Sequence, residues 1–428
     1  MTDRVQRNRR QFLKSAAAIS AATACFAPAL AQDTGPRVVI IGGGFGGTGC
    51  ARALRNADPK INITLVETNA TYTAPPQSNA VIAGLMELSH QEFGYDKVKT
   101  AGIDVINAAA TSVDPEKRTV TLANGSTLLA YDRLVVSPGI EFRAGFVQGY
   151  DRSAAESMPA AFNNAAEIMV LRRQLEAMAD GGTVVITSPV NPARCPPAPY
   201  ERASLIAHYL KTKKPRSKVI VLDQKENFTM QKLFEQAWQE LYPGMIEWVG
   251  LSNGGALSQI EASSKTISTD FDKYQAAVAS IIPTQKAGHA ADLAHVADRT
   301  GWCPVDPLTF ESKLQKNIHV IGDAAIAGAM PRSASAAQSQ SRICAAAIAA
   351  LFGGKSPEAP TLTSSCYSLI APDYAISQRG TYRPADDLYA ESGPGVIISP
   401  ADAPRSLRKD EADQADTWFR TITGETFG

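Results

Sequence analysis

The feature that most constrains this chain is a continuous apolar run, Val38-Val39-Ile40-Ile41, that passes directly into Gly42-Gly43-Gly44-Phe45-Gly46-Gly47. A run of β-branched residues without alternation suits a strand buried on both faces of a parallel sheet. Gly42, Gly44 and Gly47 fit the G-x-G-x-x-G spacing, and Thr48 to Asn56 reads as the helix that follows. A second apolar strand, Ile61 to Val66, ends at Glu67, about 20 residues past the last glycine. Dinucleotide binding needs these parts in this order. A tight turn lets the backbone approach a pyrophosphate at a helix N-terminus, and a carboxylate accepts from the ribose hydroxyls. Gly42, Gly44, Phe45, Gly46, Gly47 and Glu67 are therefore the expected cofactor-binding residues of an opening βαβ unit.

The fingerprint serves NAD and FAD alike, and two later segments favour FAD. Leu134-Val135-Val136 is an apolar strand closed by Ser137-Pro138-Gly139, the return strand and turn of flavoproteins with two dinucleotide domains. Asn317 to Ile321 is another, ending in Gly322-Asp323 and followed by an Ala-rich helix to Leu351 with a Gly353-Gly354 stop. The two segments resemble those of flavoproteins with two dinucleotide domains, which implies that Gly139, Gly322 and Asp323 belong to the site, with the aspartate facing the ribityl or pyrophosphate end of FAD. With 428 residues the chain exceeds the ~250–300 at which one core stops growing. Between the two halves, a helix over Ala160–Ala179, a strand Thr183–Thr187, a helix from near Tyr200 and a strand Lys218–Leu222 ending at Asp223 outline a second βαβ unit. Its turn reads Ser188-Pro189-Val190-Asn191-Pro192-Ala193-Arg194-Cys195-Pro196-Pro197-Ala198-Pro199. Proline lacks an N–H, so this turn is not expected to cradle the pyrophosphate of NAD(P)H.

The expected class is α/β: two Rossmann-like dinucleotide-binding domains of the disulfide-reductase flavoprotein class plus a small C-terminal α+β domain. The boundaries read as 36–155 with 290–358 for FAD, 156–289 for the second unit, and 359–428 for the C-terminal unit. Residues 1–31, with Arg9-Arg10-Gln11-Phe12-Leu13-Lys14, an Ala/Ser/Thr-rich run and Ala29-Leu30-Ala31, read as a twin-arginine export signal, hence a periplasmic protein. Overall, 42 basic residues balance 42 acidic ones; without the five basic residues and one acid of that leader, 37 face 41. Neither balance makes an electrostatic case for nucleic acid. No other stretch approaches the ~18 apolar residues of a membrane span.

Cys25 leaves with the leader, and Cys50, Cys195, Cys303, Cys344 and Cys366 remain. Cys195 follows Arg194 just before a helix start, where both would favour a thiolate, so it reads as a redox thiol or, alternatively, as a small buried hydrophobe. Cys50 and Cys344 sit in Ala-rich helices and read as core, and Cys303 as structural. The five histidines show no ligand spacing, and no metal is expected. C-x-x-C-H is absent, so a haem would belong to another chain.

The run Arg194-Cys195-Pro196-Pro197-Ala198-Pro199-Tyr200-Glu201-Arg202-Ala203-Ser204 resembles the flavoprotein subunit of flavocytochrome c sulfide dehydrogenases. So do Ile246-Glu247-Trp248, Gly301-Trp302-Cys303-Pro304-Val305-Asp306, Ile318 to Ala324, and Ser365-Cys366-Tyr367-Ser368. The resemblance runs from Arg37 to the Thr426-Phe427-Gly428 terminus. It implies an FAD enzyme that oxidises sulfide to sulfur or polysulfide and passes electrons singly to a c-type cytochrome subunit. It also implies a redox cystine, Cys195 with Cys366, beside the flavin, and a C-terminal unit that covers the ring with Trp418-Phe419 near it. Glu201, on the helix after Cys195, is the expected proton carrier. The family's tethering cysteine is missing from Thr71 to Asn79, so FAD is expected to be held non-covalently. Two other readings remain: an accessory flavoprotein that reduces or reactivates a periplasmic sulfur-carrier protein, and a sulfide:quinone oxidoreductase, against which the charged tail Arg405 to Asp416 argues.

Overall fold

The computed structural model describes residues 35–428 apart from 124, 126 and 163. The leader read in residues 1–31 lies outside the described residues.

The chain enters through strand β1 (Arg37–Ile41), turns at the glycines into helix α1 (Phe45–Ala57), and returns through β2 (Asn62–Glu67). Helix α1 starts three residues before the expected Thr48, because Thr48 N already donates to Gly44 O at 3.0 Å. Tertiary packing overrides the poor helix propensity of glycine in this first turn. A side chain at Gly47 would meet Gly42 O at 1.8 Å, so only glycine lets α1 lie this close to β1. At Gly42, φ is +102° and a Cβ would fall 2.2 Å from Ser137 O, which excludes any other residue from the turn.

Strands β3 (Asp104–Asn107) and β4 (Arg133–Val136) flank the βαβ unit. The chain then leaves through helix α2 (Ala165–Ala177), shorter than the expected Ala160–Ala179. The carbonyls of Ala160 and Ala161 accept from the Arg202 guanidinium at 2.6 Å each, which takes them out of a helical ladder, and Asn164 caps the helix through Ala166 N. A second sheet follows with β5 (Thr183–Ser188), helix α3 (Ala198–Lys213), β6 (Lys218–Asp223), β7 (Ile246–Val249) and β8 (Val278–Ser280). Strand β9 (Ile318–Val320) rejoins the first sheet and is followed by helix α4 (Ala334–Phe352). The chain ends in β10 (Leu362–Ala371), β11 (Tyr374–Ala385), β12 (Leu388–Ile398) and the 23-residue helix α5 (Arg405–Phe427).

The first sheet has the order β9-β4-β1-β2-β3 and the second β7-β6-β5-β8, both parallel throughout; β10-β11-β12 is an antiparallel meander. This is the α/β class expected of a disulfide-reductase flavoprotein. Strands β1, β4 and β9 are buried on both faces, as covered parallel strands are. Helix α5 packs on β11 and reaches α1, which places its end over the glycine turn. No helix among the described residues is long and apolar enough to cross a membrane.

Candidate active site

A cavity of ≈ 330 Å³ opens at the carboxyl ends of β1, β4 and β9, where parallel sheets present their loops to ligands. Gly42, Gly44, Phe45, Gly46, Glu67, Gly139, Gly322 and Asp323 line it; Gly47 does not, its place being the helix–strand contact. Glu67 Oε2 accepts from Gly43 N at 2.7 Å and its Oε1 from Asn69 N at 2.9 Å, so the acid at the end of β2 also braces the turn. Tyr95 Oη donates to Gly43 O at 2.9 Å from the other side.

Asp323 Oδ1 is buried and has no hydrogen-bond partner among the described residues. A buried acceptor left open is expensive, and a ligand hydroxyl aimed into the cavity removes that cost. Burial pushes the Asp323 carboxyl up, opposed by Arg194 and Arg332. The glycine turn, Glu67 and this orphaned oxygen therefore fit FAD, which puts a pyrophosphate, a ribose and a polyol chain in one molecule. Gly322 N is already taken by Gln340 Oε1 at 2.7 Å, so at that position the glycine makes room rather than donating.

On the opposite wall stand Cys195, Glu201 and Cys366. Cys195 occupies the left-handed region, φ +48°, where its N donates to Arg332 O (2.8 Å) and its O accepts from Ala198 N (2.9 Å). That geometry turns the proline-rich loop into α3 and points the thiol at β10, which carries Cys366. The two thiols are in hydrogen-bonding contact, and this contact together with burial pushes Cys366 well above the ordinary thiol range. Both are free cysteines in this structure. The fold brings the sulfurs together, whereas oxidation is set by the surrounding redox poise.

Both carboxylate oxygens of Glu201 accept from neutral donors. Its Oε1 accepts from Leu369 N at 2.9 Å and its Oε2 from Asn79 Nδ2 at 2.8 Å. Burial pushes its carboxyl up to about 6, against those two hydrogen bonds and Arg202. A carboxyl in that range can exchange a proton near neutral pH. Trp418 on α5 lines the cavity beside Tyr367, their ring centres 6.2 Å apart, but Phe419 does not face the site. It is buried against Phe93. Adjacent positions on a helix point about 100° apart, so only one of the pair can face the cavity.

The remaining cysteines lie elsewhere. Cys50 and Cys344 are buried where α1 meets α4, their thiols in contact with each other. Cys303 is buried too, which pushes its thiol up to about 12.

The second sheet ends differently. Asp223, at the end of β6, is 0% exposed and its carboxylate is already occupied. Tyr200 Oη (2.5 Å) and Trp248 Nε1 (3.0 Å) donate to Oδ2, and Lys225 Nζ (2.6 Å) to Oδ1. The place where a second ribose would be read is filled by the protein's own side chains.

Several site residues carried no signal in the sequence. Asn79 joins Glu201 to Arg202 (Nε to Oδ1, 3.0 Å) from a five-residue helix, Ser78–Ile82. Tyr72 lies over the turn, and Phe427 at the end of α5 stacks on it at 5.2 Å. Such contacts depend on chain segments hundreds of residues apart and leave no local spacing to read.

Residues 168–283 match the family model "Sulfide dehydrogenase [flavocytochrome c] flavoprotein chain, central". Residues 358–427 match "Flavocytochrome c sulphide dehydrogenase, flavin-binding", and residues 36–167 match "Pyridine nucleotide-disulphide oxidoreductase". The flavoprotein chain of flavocytochrome c sulfide dehydrogenase from Chlorobaculum thiosulfatiphilum is 53% identical over 45 residues, which is 94% of that sequence and 10% of this one. Mitochondrial sulfide:quinone oxidoreductase of Mus musculus is 23% identical over 297 residues, 67% of this chain and 65% of that enzyme, so the chain spans less than two thirds of its length. The crystal structure of sulfide:quinone oxidoreductase from Aquifex aeolicus superposes with a TM-score of 0.73 at 18% identity, covering 91% of this chain and 92% of that one.

Proposed function

Since this chain belongs to the flavoprotein family of flavocytochrome c sulfide dehydrogenases, we propose that it oxidises sulfide at the Cys195–Cys366 pair and delivers the electrons to a c-type cytochrome subunit. The observation that carries the reading is the contact of those two thiols in the wall of the cavity whose floor is the glycine turn. FAD, when bound, supplies a two-electron acceptor that can pass electrons on singly.

The working form of the pair is the disulfide. HS⁻ attacks one of its sulfurs; the Cys–Cys bond breaks, a new bond joins the substrate sulfur to the attacked cysteine, and the other cysteine leaves as thiolate. The proton on the incoming sulfur passes to Glu201, whose raised carboxyl stands beside Cys366. Gly42, Gly44, Phe45, Gly46, Glu67, Gly139, Gly322 and Asp323 hold the dinucleotide, and Trp418 covers the cavity from α5. FAD is held non-covalently, since the sequence has no cysteine between Cys50 and Cys195 to supply a thioether. The protein works in the periplasm after twin-arginine export, with a mature N-terminus at Gln32; an intact leader on periplasmic protein, read by mass spectrometry, overturns that part.

The deciding test is anaerobic titration with substoichiometric sulfide. Loss of flavin absorbance in proportion to added sulfide is expected, and an unchanged spectrum refutes the reading. Likeness to the mouse enzyme favours one alternative acceptor, a quinone. Reoxidation of the sulfide-reduced protein by a c-type cytochrome but not by a short-chain quinone separates the two.

A further inference from the structure

A second cavity, ≈ 570 Å³, lies beside the proline-rich loop that carries Cys195 and shares no lining residue with the flavin cavity. Two arginines, Arg143 and Arg332, stand in its wall. Arg143 gives Nε to Gln285 O at 3.2 Å and Nη2 to Thr300 O, and Arg332 gives Nε to Asp323 O at 2.8 Å and Nη2 to Ala325 O at 3.4 Å. Both are thereby fixed in orientation by backbone carbonyls. Neither forms an ion pair among the described residues, although Arg332 feels the Asp323 carboxylate; the neighbouring Lys286 is committed to Asp292 at 2.8 Å. Arg332 also lies over the Trp302 ring, 4.0 Å from its centre.

The decisive group is Gln285. It is 4% exposed, its Oε1 accepts from Arg194 N at 2.7 Å, and its Nε2 has no hydrogen-bond partner among the described residues. A buried amide donor without an acceptor costs roughly 1–3 kcal/mol, which a ligand with acceptor oxygens recovers. Two guanidinium groups without paired carboxylates add the requirement of negative charge, and arginine suits planar presentation to oxoanions.

We propose that this cavity binds a small tetrahedral oxoanion, through Gln285 Nε2 and the Arg143 and Arg332 guanidinium groups. Sulfate, thiosulfate and inorganic phosphate share that chemistry. The site goes beyond sulfide oxidation and does not depend on it, because binding is measured without turnover. Its consequence for the flavin side runs through Gln285, the side chain that also holds Arg194 N, next to Cys195.

The holoprotein is titrated at constant ionic strength with sodium thiosulfate, sulfate, phosphate or chloride while tryptophan fluorescence is followed. A saturable change with at least one oxoanion, absent with chloride and lost in Trp302→Phe, is expected; the order among the three identifies the physiological source. Gln285→Glu keeps the acceptor for Arg194 N but replaces the donor by a carboxylate, and Arg143→Met removes one cation; each should weaken binding about tenfold or more. Flavin absorbance and far-ultraviolet dichroism of the variants establish that they are folded. A response equal for chloride, no saturable response, or a response unchanged in both folded variants overturns the site.

Discussion

Asn79 Nδ2 donates to Glu201 Oε2 at 2.8 Å while Asn79 Oδ1 accepts from Arg202 Nε at 3.0 Å, so a single amide stands between a buried carboxyl and a buried guanidinium. The arrangement keeps charge near the thiols without letting it collapse into a direct ion pair. Burial raises Glu201 to about 6, and the amide and Leu369 N restrain that rise.

The first prediction follows from the sign of that shift. Glu201 takes a proton only as carboxylate, so sulfide-dependent flavin reduction should increase as pH rises through about 6. Glu201→Gln should remove this limb and slow reduction by roughly 10²-fold, with the ionisation of sulfide itself left in both profiles. Asn79 is a positioning residue: Asn79→Ala deletes a hydrogen bond to the ionised form and should move the limb to higher pH. Stopped-flow profiles of the three proteins decide it, and a limb that survives in Glu201→Gln removes Glu201 from the proton path.

Retention of FAD is expected to depend on the end of α5. Phe427, 3% exposed, stacks on Tyr72 and Phe93 at 5.2 Å each and meets Phe45 edge-on at 5.8 Å, directly beside the glycine turn. Acid denaturation should release all the flavin into the filtrate. Phe427→Ala, a deletion of the kind that costs about 3–5 kcal/mol in a core, should make the folded protein lose FAD to ultrafiltration. Flavin that stays with the polypeptide through a denaturing gel contradicts non-covalent binding and directs attention to Tyr72.

NADH and NADPH should reduce the flavin negligibly. The turn after β5 presents prolines where amide donors are needed, and Asp223 is sealed by Tyr200, Trp248 and Lys225. Anaerobic mixing with excess NADH, followed at the flavin band, checks this. Rapid stoichiometric bleaching means that the second sheet still reads a nicotinamide dinucleotide.

The strands and the turn were legible because β1, β2, β4 and β9 are continuous apolar runs and because Gly42 and Gly47 answer to steric demands that act within one βαβ unit. Cys195 is legible as a redox thiol from Arg194 and the helix start, but its pairing with Cys366 is legible only through resemblance, since nothing in the spacing of two cysteines in different units says that β10 will lie against α3. The limits of α2 were missed because Arg202, dozens of residues later, claims the carbonyls of Ala160 and Ala161. The resemblance puts Trp418-Phe419 together near the ring, whereas helical geometry lets Trp418 face the cavity and sends Phe419 to Phe93. Gln285 and Asp323 illustrate a further limit: an unpartnered atom is a property of the packed structure, invisible in a string of residues.

The last prediction concerns the thiols. Contact with Cys195 and burial push the Cys366 thiol well above its ordinary range, so in the reduced protein Cys366 keeps its proton. Cys195→Ser and Cys366→Ser should each keep FAD, because neither residue belongs to the glycine turn or to the Glu67 and Asp323 contacts, yet lose nearly all sulfide-dependent flavin reduction. Cys344→Ser is the matched control: that thiol is buried against Cys50 outside the cavity and should not alter the rate. Thiol counting on the denatured, air-oxidised protein should find the two site cysteines blocked as a disulfide and both free after reduction. If the two site variants bleach at the unmodified rate, or the control is equally inactive, sulfide is oxidised without this pair and the mechanism fails.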